Sequence, residues 1–195
     1  MKIQKIYIAY MILFVVLLIV GYLGFNDSFQ MFDIRDEHHE YIKAISRNQD
    51  LSRIFSLIEL KSDPVKEGYR FTWLRTFHHP VVITVTIDDQ QGRLSLQESS
   101  GAGGYDFGEL IADKNISLTN EEINRLRKTI HDNPFWNEDI SRDFGFDGAV
   151  WVIEVKRPDA YYRDSQWSPQ AGSIRNIGMC LLELSGYEIA PNEIY

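Results

Sequence analysis

Asp147 and Glu154 are the first residues in this chain whose type suggests chemistry, two carboxylates beside Trp151, Tyr161 and Trp167, whose rings suit stacking on sugars. A glycosidase holds its two carboxyl groups about 5 to 9.5 Å apart. On extended backbone at about 3.3 Å per residue, Asp147 and Glu154 are separated by roughly 23 Å, so they cannot form that pair. The pattern instead assigns Asp147-Gly148 to a tight turn into a strand, and Glu154 to an ion pair with Arg163 across a hairpin.

The other reactive residue types form no recognised site from their spacing. His78 and His79 are adjacent, so on a strand they point to opposite faces, and His38 and His39 lack the i, i+4 spacing of helical metal ligands. No zinc motif is present, and only a fold-dependent meeting of His78 with His131 is left open. Cys180 stands alone in the apolar run Ile177–Leu182 and reads as a structural thiol. No G-x-S-x-G elbow or S-x-x-K motif marks a nucleophile. The stretch Ser99–Gly108 is rich in glycine, but Asp106 and Glu109 place negative charge where a phosphate would sit, so it reads as a mobile loop at a sheet edge or around a site. No catalytic residue, metal ligand or cofactor is assigned. The candidate binding residues are Arg75, His78, Asp147, Trp151, Glu154, Tyr161 and Arg163.

These side chains need a scaffold, and hydrophobic periodicity supplies one. Leu51, Ile54, Phe55 and Ile58 place four apolar groups on one face of a helix that starts after Asp50 and stops at Asp63-Pro64. Arg70–His78 is aromatic and β-branched, and Val81, Ile83, Val85 and Ile87 alternate with polar or smaller neighbours as a half-buried strand requires. Leu94 and Leu96 resume the alternation after a turn over Asp88–Gly92, predicting a hairpin with a loop longer than two residues. Thr119 and Glu122 have capping-box spacing, Leu118 and Ile123 form a hydrophobic staple, and the helix they start ends before Pro134. Ala149–Val155 and Tyr161–Trp167 read as a second hairpin through Arg157-Pro158-Asp159. Ser168-Pro169 suggests the start of a last helix, which Gly186 ends. The expected fold is α+β, with antiparallel hairpins and packed helices in the order β-β-α-β-β-α.

Ahead of this domain, Ile6–Phe25 runs without a charged side chain, after Lys2 and Lys5. About 20 helical residues cover the roughly 30 Å hydrocarbon layer, so the run predicts a transmembrane helix that partners the lipid bilayer. Basic residues before it, and none after it until Arg35, orient the amino terminus to the cytoplasm. The expected organisation is a cytoplasmic tip (1–5), a span (6–25), a polar tether (26–49) and an extracytoplasmic domain (50–195). In a Gram-negative cell this would be a single-pass inner-membrane protein with a periplasmic head. The chain has 20 basic and 28 acidic residues, for a formal net charge of −8. Such a surface disfavours nucleic acid and suits a basic protein partner in the cell envelope.

Five short motifs carry a resemblance. Trp73-Leu74-Arg75-Thr76-Phe77-His78-His79-Pro80, Gly101-Ala102-Gly103-Gly104-Tyr105, Asp147-Gly148-x-x-Trp151-x-x-Glu154, Trp167-Ser168-Pro169 and Leu184-Ser185-Gly186 together are similar to a family of small exported bacterial proteins that has no assigned activity. The resemblance spans about Tyr69–Tyr195. It implies export and no particular reaction. Two functions follow as expectations: a non-catalytic binding or inhibitor module held at the outer face of the membrane, or a cell-envelope enzyme acting on glycan or peptide.

Overall fold

Alternating apolar residues build one six-stranded antiparallel sheet from β1 (Glu67–Arg75), β2 (Val81–Asp88), β3 (Gln91–Ser99), β4 (Leu110–Leu118), β5 (Ala149–Arg157) and β6 (Ala160–Trp167). The computed structural model describes residues 49–57, 59–138, 145 and 147–195, all within the unit His38–Tyr195. The tip 1–5, the span 6–25, the tether 26–49 apart from its last residue, and Ile58 lie outside the described residues. Among the described residues no helix is long and apolar enough to cross a membrane.

The strand order is β4-β3-β2-β1-β5-β6, so β1 to β4 form a meander and β5 joins it beside β1. One sheet face presents Tyr69, Phe71 and Trp73 from β1, Ile83 and Val85 from β2, and Trp151 and Ile153 from β5. Two helices cover it. In α1 (Gln49–Ile54), by contrast, Leu51 packs with Leu74, Val82, Val150 and Val152 on the opposite face, joined there by Phe55 just past the helix. The α+β class is therefore as expected, with the two faces of β1 separated by the period-2 alternation of its side chains.

The first covering helix, α2 (Asn120–Asp132), has its capping box in place: Thr119 accepts from the Glu122 amide, and Glu122 accepts from the Thr119 amide. Leu118, Ile123, Leu126 and Ile130 are buried beneath it. The second, α3 (Ser173–Ser185), ends at Gly186 in the left-handed region with φ 63°, as the glycine there requires. Cys180 lies buried on this helix, and burial pushes its thiol pKa up.

Several boundaries differ from the expected ones. Four strands, not two, precede α2: the aromatic stretch from Arg70 forms β1 beside the expected hairpin, and β4, which had no clean alternation to reveal it, is an exposed edge strand held by its ladder to β3. The β2–β3 loop has two residues: Asp89 and Gln90 take φ 46° and 87°, the paired positive values of a turn that matches strand twist. Strand β1 ends at Arg75, so His78 and His79 lie in the loop before β2 rather than on a strand. Helix α1 stops after Ile54, well before Pro64, where Ser56 turns left-handed with φ 48°. Helix α3 starts at Ser173, not at Ser168-Pro169, since Ser168 has φ 40° and its hydroxyl accepts from the Ala149 amide instead of capping a helix.

One ion pair ties α2 to the central strand. Arg127 donates from Nε to both Glu67 oxygens at 3.0 and 3.1 Å and from Nη2 at 2.6 Å, while the Tyr69 hydroxyl also donates to Glu67. Burial raises the Glu67 pKa, but the hydrogen bonds from Arg127 and Tyr69 outweigh that and hold it below its ordinary 4.5. A carboxylate with a depressed pKa adds stability that is present above its unfolded value and lost as pH falls through the folded one. Wild type and Glu67→Gln should therefore differ in urea midpoint at pH 7, and the gap should close as the pH drops below about 4. A gap independent of pH would remove this role.

Candidate functional site

The register of the central strands sets a row of polar side chains across the sheet face that bears α1. Thr84 on β2 stands opposite Arg70 on β1, Arg70 opposite Glu154 on β5, and Glu154 opposite Arg163 on β6. Neighbouring strands lie about 4.8 Å apart, so the row alternates hydroxyl, cation, anion and cation at close spacing. Arg70 and Glu154 are both buried, with Nη1 and Oε2 3.5 Å apart. Arg70 Nε donates to Thr84 Oγ1 at 3.1 Å, and the Tyr161 hydroxyl donates to Glu154 Oε1 at 2.7 Å.

Above this row lies a cavity of about 370 Å³. Its floor is Arg70, Thr72, Val152 and Glu154, Tyr161 and Arg163 stand at one side, and Leu51, Ser52, Leu57 and Glu59 form the α1 side. Burial and the adjacent Glu154 carboxylate push the Tyr161 phenol well above its usual range, so it stays protonated as a donor at neutral pH. Glu154 is already engaged by a cation and a phenol. The cavity thus offers fixed donors and acceptors of both signs rather than a free base beside a nucleophile.

Three of the sequence candidates, Glu154, Tyr161 and Arg163, meet in this cavity. Glu154 and Arg163 stand opposite each other across the β5–β6 hairpin, as the expected pairing needs, and Arg70, which the sequence did not single out, brings a cation to Glu154 from β1. A charged residue at the alternate positions of an aromatic strand was the available signal. The other candidates lie elsewhere. Trp151 is fully buried on the opposite face, with its ring against Phe71 and Trp73 at centroid distances of 4.9 and 5.5 Å. Arg75, also buried, lies over Trp73 at 4.3 Å on that same face. His78 Nδ1 is 2.5 Å from the Tyr195 hydroxyl, and Asp147 is exposed at the turn entering β5. His131 is exposed at the end of α2, and among the described residues no group of three or more His, Cys, Asp or Glu side chains is placed to hold a metal ion.

The glycine-rich loop is tied down by its own amides. Gly103 N donates to His78 O at 3.1 Å, Gly104 N to Thr76 O at 3.3 Å, and Ala102 N to Asp106 O at 2.7 Å. A Cβ at Gly103 would lie 2.7 Å from the Arg75 backbone, which explains the residue type. The same end of β1 receives the other motifs. The Gly148 carbonyl accepts from the Thr76 amide and hydroxyl, Trp167 packs against Gly148, and Tyr187, next after Gly186, receives a bond from Arg75. Four of the five motifs therefore meet near Arg75 and Thr76, and the fifth ends one residue before Tyr187, which Arg75 contacts. Compared with protein-family models and with curated proteins, the chain matches none.

Proposed function

We propose that the chain is a membrane-anchored, extracytoplasmic binding module that takes a polar group of its partner into the cavity over Arg70, Glu154, Tyr161 and Arg163. The observation that carries this reading is the buried Arg70–Glu154 pair at the floor of a cavity of about 370 Å³, with its polar atoms already fixed by Thr84 and Tyr161. Pre-set donors and acceptors lower the ordering cost of binding. The apolar run Ile6–Phe25 supports the anchor, and the lysines before it support a cytoplasmic amino terminus with the domain on the periplasmic side of a Gram-negative inner membrane. The net charge of −8 supports a basic protein of the envelope as the partner. The five-motif resemblance supports membership of a small exported family, in which the motifs would mark a shared structural end of the sheet.

The test is photo-crosslinking of the full chain in intact cells from a probe at Arg163, with a probe at Asp132 on α2 as control. A partner captured from position 163 alone, and lost at high salt, is the expected result. Equal capture from both positions, or none from either, would overturn the reading. Membranes washed with alkali should retain the full chain and release one that starts at Asn26.

The meeting of Glu154, Tyr161 and Arg163 in one cavity favours a second reading, an envelope enzyme acting on glycan or peptide. Turnover of cell-wall fragments that Glu154→Gln abolishes while the fold is kept would favour it over the first.

A further inference from the structure

The segment Tyr187–Tyr195 lies over the sheet face that carries the tryptophans, and it joins no strand ladder. Side chains hold it instead. Two indoles converge on one atom, with Trp151 Nε1 donating to the Tyr195 backbone oxygen at 2.8 Å and Trp73 Nε1 donating to the same oxygen at 3.3 Å. Arg75 donates to the Tyr187 hydroxyl at 3.4 Å and lies 3.6 Å from the Glu193 carboxylate. The Tyr187 hydroxyl donates to Glu98 at 2.9 Å, and burial together with that carboxylate pushes its pKa up to about 12. Tyr187, Ile189, Ile194 and Tyr195 pack against the core while staying partly exposed.

This arrangement resembles that of a bound peptide: a backbone oxygen on two converging N–H groups, a carboxylate on a guanidinium, a phenol on an imidazole, and apolar side chains in between. The receiving side is complete without it, since Trp73 and Trp151 belong to strands paired on both sides in the sheet. Arg75, only 3% exposed, also has a spare donor, because nothing among the described residues accepts from its Nε. A buried donor without an acceptor is unusual in a finished core, and this one lies on the strand beneath the segment.

We propose that Trp73, Arg75, His78 and Trp151 form a peptide-binding groove that the chain fills with its own segment Tyr187–Tyr195. The segment is a tethered ligand, and the groove takes in its place an acidic peptide that carries an aromatic residue and, on that residue, a backbone oxygen free to accept from both indoles. This site is on the opposite sheet face from the cavity over Arg70, so either can fail without the other.

The experiment uses the full chain with a protease site inserted between Gly186 and Tyr187, where Gly186 is exposed and has open space around it. The probe is a fluorescein-labelled synthetic peptide with the sequence of residues 187–195. After cleavage the labelled peptide should exchange into the folded protein, at least about tenfold more tightly than into the uncut chain, and a scrambled peptide should not. Arg75→Ala in the cut protein should weaken binding at least about tenfold. In uncut protein, Glu193→Ala combined with Tyr195→Phe should loosen the tether and raise probe affinity over wild type. A cut segment that never exchanges, or far-ultraviolet circular dichroism showing that the domain unfolds as the segment leaves, would make it part of the core and overturn the proposal. So would equal binding of the probe to cut and uncut protein.

Discussion

Glu154→Ala is expected to lower the unfolding free energy by about 3 kcal/mol, because it leaves the Arg70 guanidinium in a buried site without the opposing charge. Arg70 is 5% exposed and Glu154 8%, so the pair is largely withdrawn from solvent although a cavity lies above it. Arg70 would keep its bond to Thr84, while the Tyr161 hydroxyl would lose its acceptor as well. Glu154→Gln retains an acceptor for Tyr161 and should cost less. The paired change of Arg70→Met with Glu154→Leu removes both charges and should recover most of the loss, since a buried ion pair and well-packed apolar groups are often of similar net value. Urea midpoints at pH 7 for the three variants decide the matter. A loss for Glu154→Ala inside about 0.5 kcal/mol, the range of ordinary surface changes, would mean that water reaches the pair.

Trp151→Ala should be the most damaging single truncation, at about 4 kcal/mol. For a domain of this size that corresponds to a fall in Tm of roughly 10 °C. The indole is fully enclosed, with Phe71 and Trp73 on one side and α3 on the other. Its neighbour on α3 is Gly178, where an added Cβ would come within 2.6 Å of the Trp151 ring. The pocket therefore has little spare volume to collapse into once the ring is removed. The indole N–H bond to the Tyr195 backbone oxygen is lost too. Gly178→Ala gives the reciprocal test from the crowded side and should cost about 1 to 3 kcal/mol. Near-ultraviolet circular dichroism and thermal melts would report both changes. A Tm within about 2 °C of wild type for Trp151→Ala would show that the ring is not part of the core.

Local patterning made much of this fold legible. Thr119, Glu122 and Leu118 announced α2 because capping and stapling act within one turn of chain. Val81 to Ile87 announced its strand by the alternation of apolar residues with threonines, and Ala149 to Val155, buried on both faces, by its β-branched and aromatic residues. Strand β4 was not legible: most of its side chains face solvent, and its place depends on backbone pairing with β3. The two-residue turn at Asp89-Gln90 was missed because neither residue is the glycine or asparagine that usually marks positive φ. At the cavity, Glu154, Tyr161 and Arg163 lie on one hairpin and could be grouped from sequence, whereas Arg70 reaches them only through the β1–β5 pairing. The segment Tyr187–Tyr195 had no period to read, since its contacts are side-chain tips on a distant surface.

The β1–β5 seam also governs how a newly made chain reaches this state. Strands β1 to β4 can zip between immediate neighbours as they are synthesised, and so can β5 with β6. The seam must wait until α2 and everything before β5 has been made, and closing so long a loop is the costly step in chain entropy. Until then the free margin of β1 lies open beside Phe71 and Trp73, an unpaired and greasy border that invites pairing with strangers. A strand from another copy could take that place before the second hairpin arrives.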